Sequence, residues 1–386
     1  MNPAATPHVH GVLPRIGEEE ALELLMHGSI HELGRRAHAA TMRLHPQPYR
    51  TYVVDRNINY SNYCTARCIF CGFKADPPGR DSGRRDLPSG YILSHKEIGQ
   101  KIEELIAIGG TQILMQGGLV PTDLLPLEWY LDLLRFIKRS YPGIHVHAFS
   151  PPEVFALHQS LGLPVREVLL RLQEAGLDTI PGGGAEILSD RVRDRIGRGK
   201  TRTQEYLTVM REAHGIGMRT SITMMFGHLE TPSERIEHLR LVRALQDETG
   251  GFTAFICWTF QPENTPLGRF RQAAPGVDSA ADGRHLRLAG AHDYLRTLAV
   301  SRLYLDNIAN VQSSWVTQGP KIGQLALFFG ANDMGSVMME ENVVSAAGIT
   351  YRLTAHQIRR LIADAGWRPR QRNCYYQLVE PTEPTA

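Results

Sequence analysis

The spacing of apolar residues changes character once along the chain. From Glu18 to Leu44 they recur every three or four positions, which predicts two amphipathic helices, Glu18–His27 and Ile30–Leu44, with Gly28 as a stop and Ser29 as the second helix's N-cap. From Tyr52 onward, short apolar runs alternate with helical periods. Strands are predicted at Thr51–Asn59, Thr111–Gln116, His145–Phe149, Leu177–Ile180, Arg219–Phe226 and Phe252–Phe260. Helices are predicted at Lys96–Ile108, Leu127–Arg139, Arg202–His214 and Ser233–Gln246, then at Arg284–Leu303, around Ile322–Phe329 and at Ala355–Ala365, with a short run near Asn307–Val311. Strands alternating with helices imply a parallel sheet, and eight such units over about 300 residues would close a (β/α)8 barrel of the TIM type. Periodicity alone leaves an open doubly wound sheet as the alternative, although no GxGxxG or GxxxxGK[ST] fingerprint is present. Asp76–Ser89 and Pro262–Gly283 read as long exposed loops. The expected organisation is a helical extension over residues 1–50, a barrel core over 51–315, and a completing and capping segment over 316–386.

Composition narrows the function classes. The 386 residues are 42% hydrophobic and 21% charged, with Lys plus Arg at 42 against 40 for Asp plus Glu. A net charge of +2 gives no electrostatic case for nucleic acid or an anionic membrane surface. No apolar run reaches the ~18 residues of a membrane span, and the first twenty residues lack the basic and apolar regions of a secretory signal. Five cysteines, three of them within Cys64–Cys71, make a poor disulfide framework and a good metal site, so a reducing cytoplasm is expected.

That site is NYCTARCIFCGF, a CxxxCxxC spacing of Cys64, Cys68 and Cys71 just after the first strand. Thiolates are soft ligands suited to iron–sulfur clusters and to zinc. Structural zinc takes four closed ligands, usually as two pairs, whereas Cys257 and Cys374 are remote and unpaired. Three ligands on one loop suggest a cluster with one iron open to a small molecule; zinc with a distant histidine is the blander alternative. Cys257 and Cys374 read as inert packing.

With Phe70 before its third cysteine, the loop resembles the CxxxCx(aromatic)C signature of radical S-adenosylmethionine (SAM) enzymes at every position. That resemblance implies a single 4Fe–4S cluster whose open iron chelates SAM, and one-electron cleavage to a 5′-deoxyadenosyl radical. It also implies a radical SAM barrel. The second strand ends in MQGGL, where Gln116, Gly117 and Gly118 resemble the family's glycine-rich motif for the SAM amino group; paired glycines equally serve a tight turn. After IPGGGAEIL, Glu186 is expected at the SAM ribose, or else at a helix N-terminus. TMMFGHLE resembles GxIxGxxE, the adenine-lining pattern, with Met225, Gly227 and Glu230 matching and Thr223 in place of the first glycine.

Longer strings, among them NINYSNYC, HAFSPPE, AGLDTIPGGGAEIL, TMMFGHLET, SSWVTQG and FFGANDMGSVMMEENVVSAAG, look like the radical SAM enzymes of the futalosine pathway to menaquinone, over roughly Tyr52 to Tyr376. Within that group they most resemble the cyclases of dehypoxanthine futalosine, with aminofutalosine synthases as the alternative and the deazaflavin-forming enzymes more distant. The resemblance implies hydrogen abstraction from the substrate sugar, attack on the benzoate ring, loss of a proton and an electron, and a flavodoxin- or ferredoxin-type electron donor. A dry pocket is required, expected under the N-terminal helices and C-terminal loops. His228, Glu153 and Glu230 are candidate proton acceptors, although a hydrogen-bonded structural role is the default for His228. Ser150, Asn332, Asp333, Glu340 and Asn342 are candidate substrate contacts, with Glu341 in the same crowded loop; helix capping and solvated carboxylates are the bland readings. Arg191, Arg193 and Arg302 are candidates for the substrate carboxylate.

Overall fold

A computed structural model describes residues 14–272, 285–349 and 351–379. The strands are β1 (Tyr49–Val53), β2 (Asp55–Asn59), β3 (Arg67–Cys68), β4 (Gln112–Gln116), β5 (His145–Ala148), β6 (Thr179–Ile180), β7 (Gly197–Arg198), β8 (Arg219–Phe226), β9 (Phe252–Thr259), β10 (Asn310–Gln312), β11 (Asp333–Ser336) and β12 (Arg368–Gln371). The predicted first strand is β1 and β2 together, interrupted only at Val54. Its upper half pairs with β4, Asp55 opposite Gln112 through Asn59 opposite Gln116. Parallel ladders continue through β5, β6, β8, β9, β10 and β11. β11 then pairs with β1, Thr51 opposite Asp333, and closes a ring of eight parallel strands through the first one. β12 takes the other edge of β1 below the point where β4 joins. The barrel expectation stands, and the doubly wound alternative falls on this closure.

Helices wrap the ring because each carries one apolar face. Leu127–Ser140 buries Leu127, Tyr130, Leu131, Leu133, Leu134 and Ile137, the spacing of a single stripe. Capping boxes start several of them, as at Ser94 with Glu97 and at Thr231 with Glu234. Two helices, Pro151–Leu161 and Val165–Ala175, fill the connection from β5 to β6.

Three expectations need correction. The two N-terminal helices do not cover the mouth; they pack on the outside, against helices Pro232–Thr249 and Ala291–Tyr304. The helix expected from Arg284 begins at Ala291, and residues 285–290 run without helix, where Arg287 N–H donates to the carbonyl of His228. Residue 284, and residues 273–283 of the expected loop, lie outside the described residues. The eighth strand, β11, sits in the GANDMGS stretch that reads from sequence as a loop. Its small and polar residues carry no apolar alternation, and the ring, not propensity, makes it a strand.

The closing strands are held by buried cations. Arg302, fully buried, donates to the carbonyls of Gly330, Ile308 and Ala309 and to Asn332 Oδ1. Burial drives its guanidinium down to about 9, a cost offset by four hydrogen bonds to acceptors buried beside it. Arg50 lies 4.4 Å over the ring of Trp367, tying β1 to the segment before β12.

Candidate active site

The cysteine loop leaves the C-terminal end of β2 at the barrel mouth. Cys64 N–H donates to Ala75 O at 3.0 Å, Thr65 N–H to Leu119 O at 3.0 Å, and Leu119 N–H to Cys64 Sγ at 3.2 Å. Cys68 lies in β3, which pairs antiparallel with β7, and Ile69 N–H donates to Ile196 O. The Cys71 carbonyl accepts from Arg84. Backbone pairing on three sides therefore fixes the loop. Burial pushes the Cys64 thiol up and the Cys68 thiol to about 12, so metal must displace protons to bind here. Among the described residues no three His, Cys, Asp or Glu gather around a single ion position. Three thiolates on one short loop, each able to take a separate iron, suit a cluster.

Beside the cysteines, Gln116 ends β4 with Gly117 and Gly118 after it, and Gly182, Gly183 and Gly184 follow β6; all line the same cavity, of about 420 Å³. A Cβ at Gly118 would stand 2.1 Å from the Tyr63 carbonyl oxygen, so only glycine lets this turn pass under the cysteine loop. Glu186 adopts a left-handed φ of 40°, a strained conformation for a non-glycine residue. Its Oε1 accepts from Lys200 Nζ at 2.5 Å, while Oε2 is buried without a partner. Lys200 Nζ also lies 5.3 Å over the Phe70 ring, and Thr223 Oγ1 donates to Gly182 O. A partnerless buried carboxylate oxygen, a glycine-bounded turn and three thiols around one cavity suit a cluster and the hydroxyl and amino groups of SAM.

Below the mouth the lumen is polar, where barrels ordinarily pack branched apolar side chains. Asp55, Asn57 and Asn59 alternate inward from β2, facing Gln112 and Gln116 of β4. The side-chain oxygens of Asn57 and Gln112 have no partner. Burial lifts Asp55 to about 6 against hydrogen bonds from Ser336 and Gln112. His147 reaches the lumen from β5 and Gln312 from β10. Arg372, just past β12, lines it too, holding Asp333 through Nε at 2.8 Å and Nη2 at 2.9 Å.

Of the residues expected from sequence, the cavity gathers Cys64, Cys68, Cys71, Phe70, Gln116, Gly117, Gly118, Ser150, Glu186, Thr223 and Glu341. The others stand outside its lining, each for a visible reason. Glu153 is a buried capping carboxylate accepting from Ser150, Tyr60 and Gly117 N–H. Glu230 accepts from Gly227 and His228 N–H and pairs with Arg235. His228 bridges its own turn, Nδ1 accepting from Leu229 N–H and Nε2 facing Met225 O at 3.0 Å. Met225 is buried beneath Glu186, donating its N–H to that residue's carbonyl, and Gly227 packs on Ala289. Asn332 serves Arg302 and the Val311 N–H, and Asp333 serves Arg372 and Thr51. Glu340 pairs with Arg56 and Lys101, and Asn342 with Glu340. Among the arginines, Arg191 pairs with Glu234, Arg193 staples the carbonyls of Gly184, Ala185 and Thr201, and Arg302 holds the closing strands. Cys257 is buried away from the cavity, but Cys374 lines it, 3.4 Å from Thr179 Oγ1. Lys200, His147 and Arg372 carry no motif that marks them in the sequence. Only the inward alternation in DRNIN and HVH signals a polar lumen.

Residues 58–242 match the profile of the radical SAM superfamily, and residues 249–385 that of the CofH/MqnC C-terminal region. The chain is 42% identical to the cyclic dehypoxanthine futalosine synthase of Halalkalibacterium halodurans, over 96% of this chain and 93% of that one. Against the enzyme of the same name from Streptomyces coelicolor the identity is 39%, over 96% and 87%. It is also 38% identical to the 5-amino-6-(D-ribitylamino)uracil–L-tyrosine 4-hydroxyphenyl transferase of Methanopyrus kandleri, over 95% and 94%. In fold it resembles methylornithine synthase, with a TM-score of 0.68 at 19% identity, over 92% and 94% of the two chains. Closed barrel, cysteine loop and full-length relatives agree: the chain belongs to the radical SAM superfamily, in the group that carries the CofH/MqnC C-terminal region.

Proposed function

We propose that this chain is a radical SAM cyclase that converts dehypoxanthine futalosine to its cyclic form in menaquinone biosynthesis. The observation that carries the reading is one cavity bordered at its mouth by three thiols and the partnerless Glu186 carboxylate oxygen and lined below by unpaired amide oxygens. The alternatives are an aminofutalosine synthase-like reaction and the hydroxyphenyl transfer in the name of the Methanopyrus relative. The Halalkalibacterium and Streptomyces relatives, both cyclic dehypoxanthine futalosine synthases, favour the cyclase.

Cys64, Cys68 and Cys71 would hold the 4Fe–4S cluster, and Gln116, Gly117, Gly118, Glu186 and Thr223 would hold SAM, with Phe70 beneath Lys200 as a wall. Bound there, the pair would supply the one-electron chemistry that hydrogen abstraction from the substrate sugar needs. Asn57, Gln112 and Ser150 offer hydrogen bonds to sugar hydroxyls, and Arg372, the arginine of the lining, faces the benzoate carboxylate in place of the three arginines expected from sequence. Met338, Glu341 and Val344 of the C-terminal loop line the same cavity and screen the substrate radical from water and stray hydrogen donors. A flavodoxin- or ferredoxin-type protein in the cytoplasm completes the system as electron donor. No helix among the described residues is long and apolar enough to cross a membrane.

The test is anaerobic incubation of the reconstituted protein with SAM and reductant, separately with dehypoxanthine futalosine, with the aminofutalosine synthase vinyl ether, and with 5-amino-6-(D-ribitylamino)uracil plus L-tyrosine. The expected product is dehypoxanthine futalosine lighter by two hydrogens. Turnover of either other substrate set, with dehypoxanthine futalosine untouched, overturns the proposal.

A further inference from the structure

Ring closure onto a benzoate releases a proton inside the lumen, and the carboxylates expected to take it, Glu153 and Glu230, stand outside the cavity lining with their own donors. Among the described residues His147 is the histidine that lines it. His145 and His147 alternate on β5 and so face the same side, one step apart in height. His147 Nε2 lies 3.5 Å from Ser221 Oγ, another lining atom, and Nδ1 lies 2.7 Å from Thr179 Oγ1 on the neighbouring strand. The same hydroxyl is 2.7 Å from His145 Nε2. His145 Nδ1 then faces Asp178 Oδ2 at 3.9 Å, and the Asp178 side chain is 29% exposed at the N-terminal end of the barrel. Asp178 Oδ2 also accepts from Lys138 Nζ and from Val146 N–H.

We propose that His147 takes the proton released on ring closure and that Thr179 and His145 carry it down through the barrel to Asp178 and solvent. The proposal rests on the cyclase reading above. In the step itself the ring C–H bond breaks and the His147 Nε2–H bond forms. The C–H electron pair stays on the ring, whose surplus electron passes to a one-electron acceptor of the oxidised iron–sulfur class. The Nδ1 proton of His147 moves to Thr179 Oγ1, the hydroxyl proton to His145 Nε2, and the His145 Nδ1 proton toward Asp178. Each transfer returns one bond for each it breaks.

The surroundings make this a conduit rather than a store. Burial, then His145, then Arg372 hold His147 down to about 3. Burial, partly offset by Asp178 and reinforced by Lys138, holds His145 down to about 4. Both rings are therefore neutral at pH 7, and a proton landing on His147 has every reason to move on. Cys374 Sγ touches Thr179, and the Tyr375 ring meets His145 edge-on at 5.1 Å, so the C-terminal residues close the floor around the path.

His147 is catalytic in this scheme; Thr179 and His145, outside the cavity lining, are positioning residues. The experiment measures 5′-deoxyadenosine and cyclic product together in the anaerobically reconstituted holoenzyme. In His147→Gln, 5′-deoxyadenosine still forms while product per deoxyadenosine falls about a hundredfold, the scale of a lost general base. Thr179→Val, nearly isosteric, lowers the same ratio with KM for the substrate unchanged, which a purely structural threonine would not do. Cluster content and SAM-dependent deoxyadenosine formation report folding, and should His147→Gln lose its cluster, Thr179→Val decides. A cluster-loaded Thr179→Val with the wild-type ratio overturns the proton path. Wild-type holoenzyme that yields no cyclic product overturns the cyclase reading instead, so the two failures are distinct.

Discussion

Gly118→Ala is a small change aimed at the joint between the SAM turn and the cluster loop. Its Cβ would sit 2.1 Å from Tyr63 O, 2.7 Å from Cys64 Cβ and 2.8 Å from Tyr63 C. Ordinary contact begins at 3.4 Å, so the two segments must part by about 1.3 Å. None of the three atoms is the far end of a flexible side chain; all belong to the loop that carries the first ligand. Overpacking of this kind costs about 1–3 kcal/mol, and here the displacement falls on Cys64 and on the Leu119 N–H that its sulfur accepts. After anaerobic reconstitution, Gly118→Ala is expected to hold much less iron and sulfide per chain than wild type and to unfold at lower denaturant. The paramagnetic resonance spectrum of whatever cluster remains is expected to change. Gly143→Ala is the control, because a Cβ there meets nothing within 4 Å and its φ is not left-handed. A Gly118→Ala protein with full iron, an unaltered spectrum and a wild-type rate of deoxyadenosine formation would refute the steric reasoning.

Glu186→Gln keeps the shape but removes a charge-assisted partner, so SAM affinity should weaken about ten- to a hundredfold, read from SAM titration of the reduced cluster's resonance signal; unchanged affinity would place Glu186 in a merely structural role. Asp55 is lifted to about 6 by burial, so its contribution to stability is fully present below about pH 4 and is lost as pH rises through 6, at a cost of about 3 kcal/mol by pH 7.5. Asp55→Asn, neutral throughout, should therefore gain on wild type between pH 4 and pH 7.5 in urea unfolding, and a pH-independent difference would contradict this. Arg372→Met leaves Asp333 buried and unpaired and should cost about 3–5 kcal/mol in unfolding free energy, while adding Asp333→Asn should recover part of the loss; equal stability of single and double variants would show that the pair is not coupled.

Local chemistry is legible in the chain itself. CxxxCxxC is contiguous, and three thiolates on one short loop declare a metal site whatever fold surrounds them. The helices Glu18–His27 and Ile30–Leu44 have the bounds that their apolar spacing predicts, because periodicity is local; Ser29 stands at the N-cap without a side-chain cap hydrogen bond. Glu230 departs from its expected role for an equally local reason. Its motif sits in a tight turn, where the N–H groups of Gly227 and His228 and the guanidinium of Arg235 occupy its carboxylate.

What the sequence by itself determined is the alternation of strand and helix, the thiolate ligands and their spacing, and the glycines that let a backbone run close beneath them. All depend on residues within about one turn or strand of each other. What only the tertiary structure decided is which polar residues face inward. Strand alternation divides DRNIN and HVH into two faces but does not say which face is the lumen. That choice, the closing of the ring through a strand with no apolar pattern, and the meeting of His147 with Thr179 and of Arg372 with Asp333 come from segments far apart in the chain. Contacts between distant segments follow from the barrel's closure, a global property that no local window of residues contains.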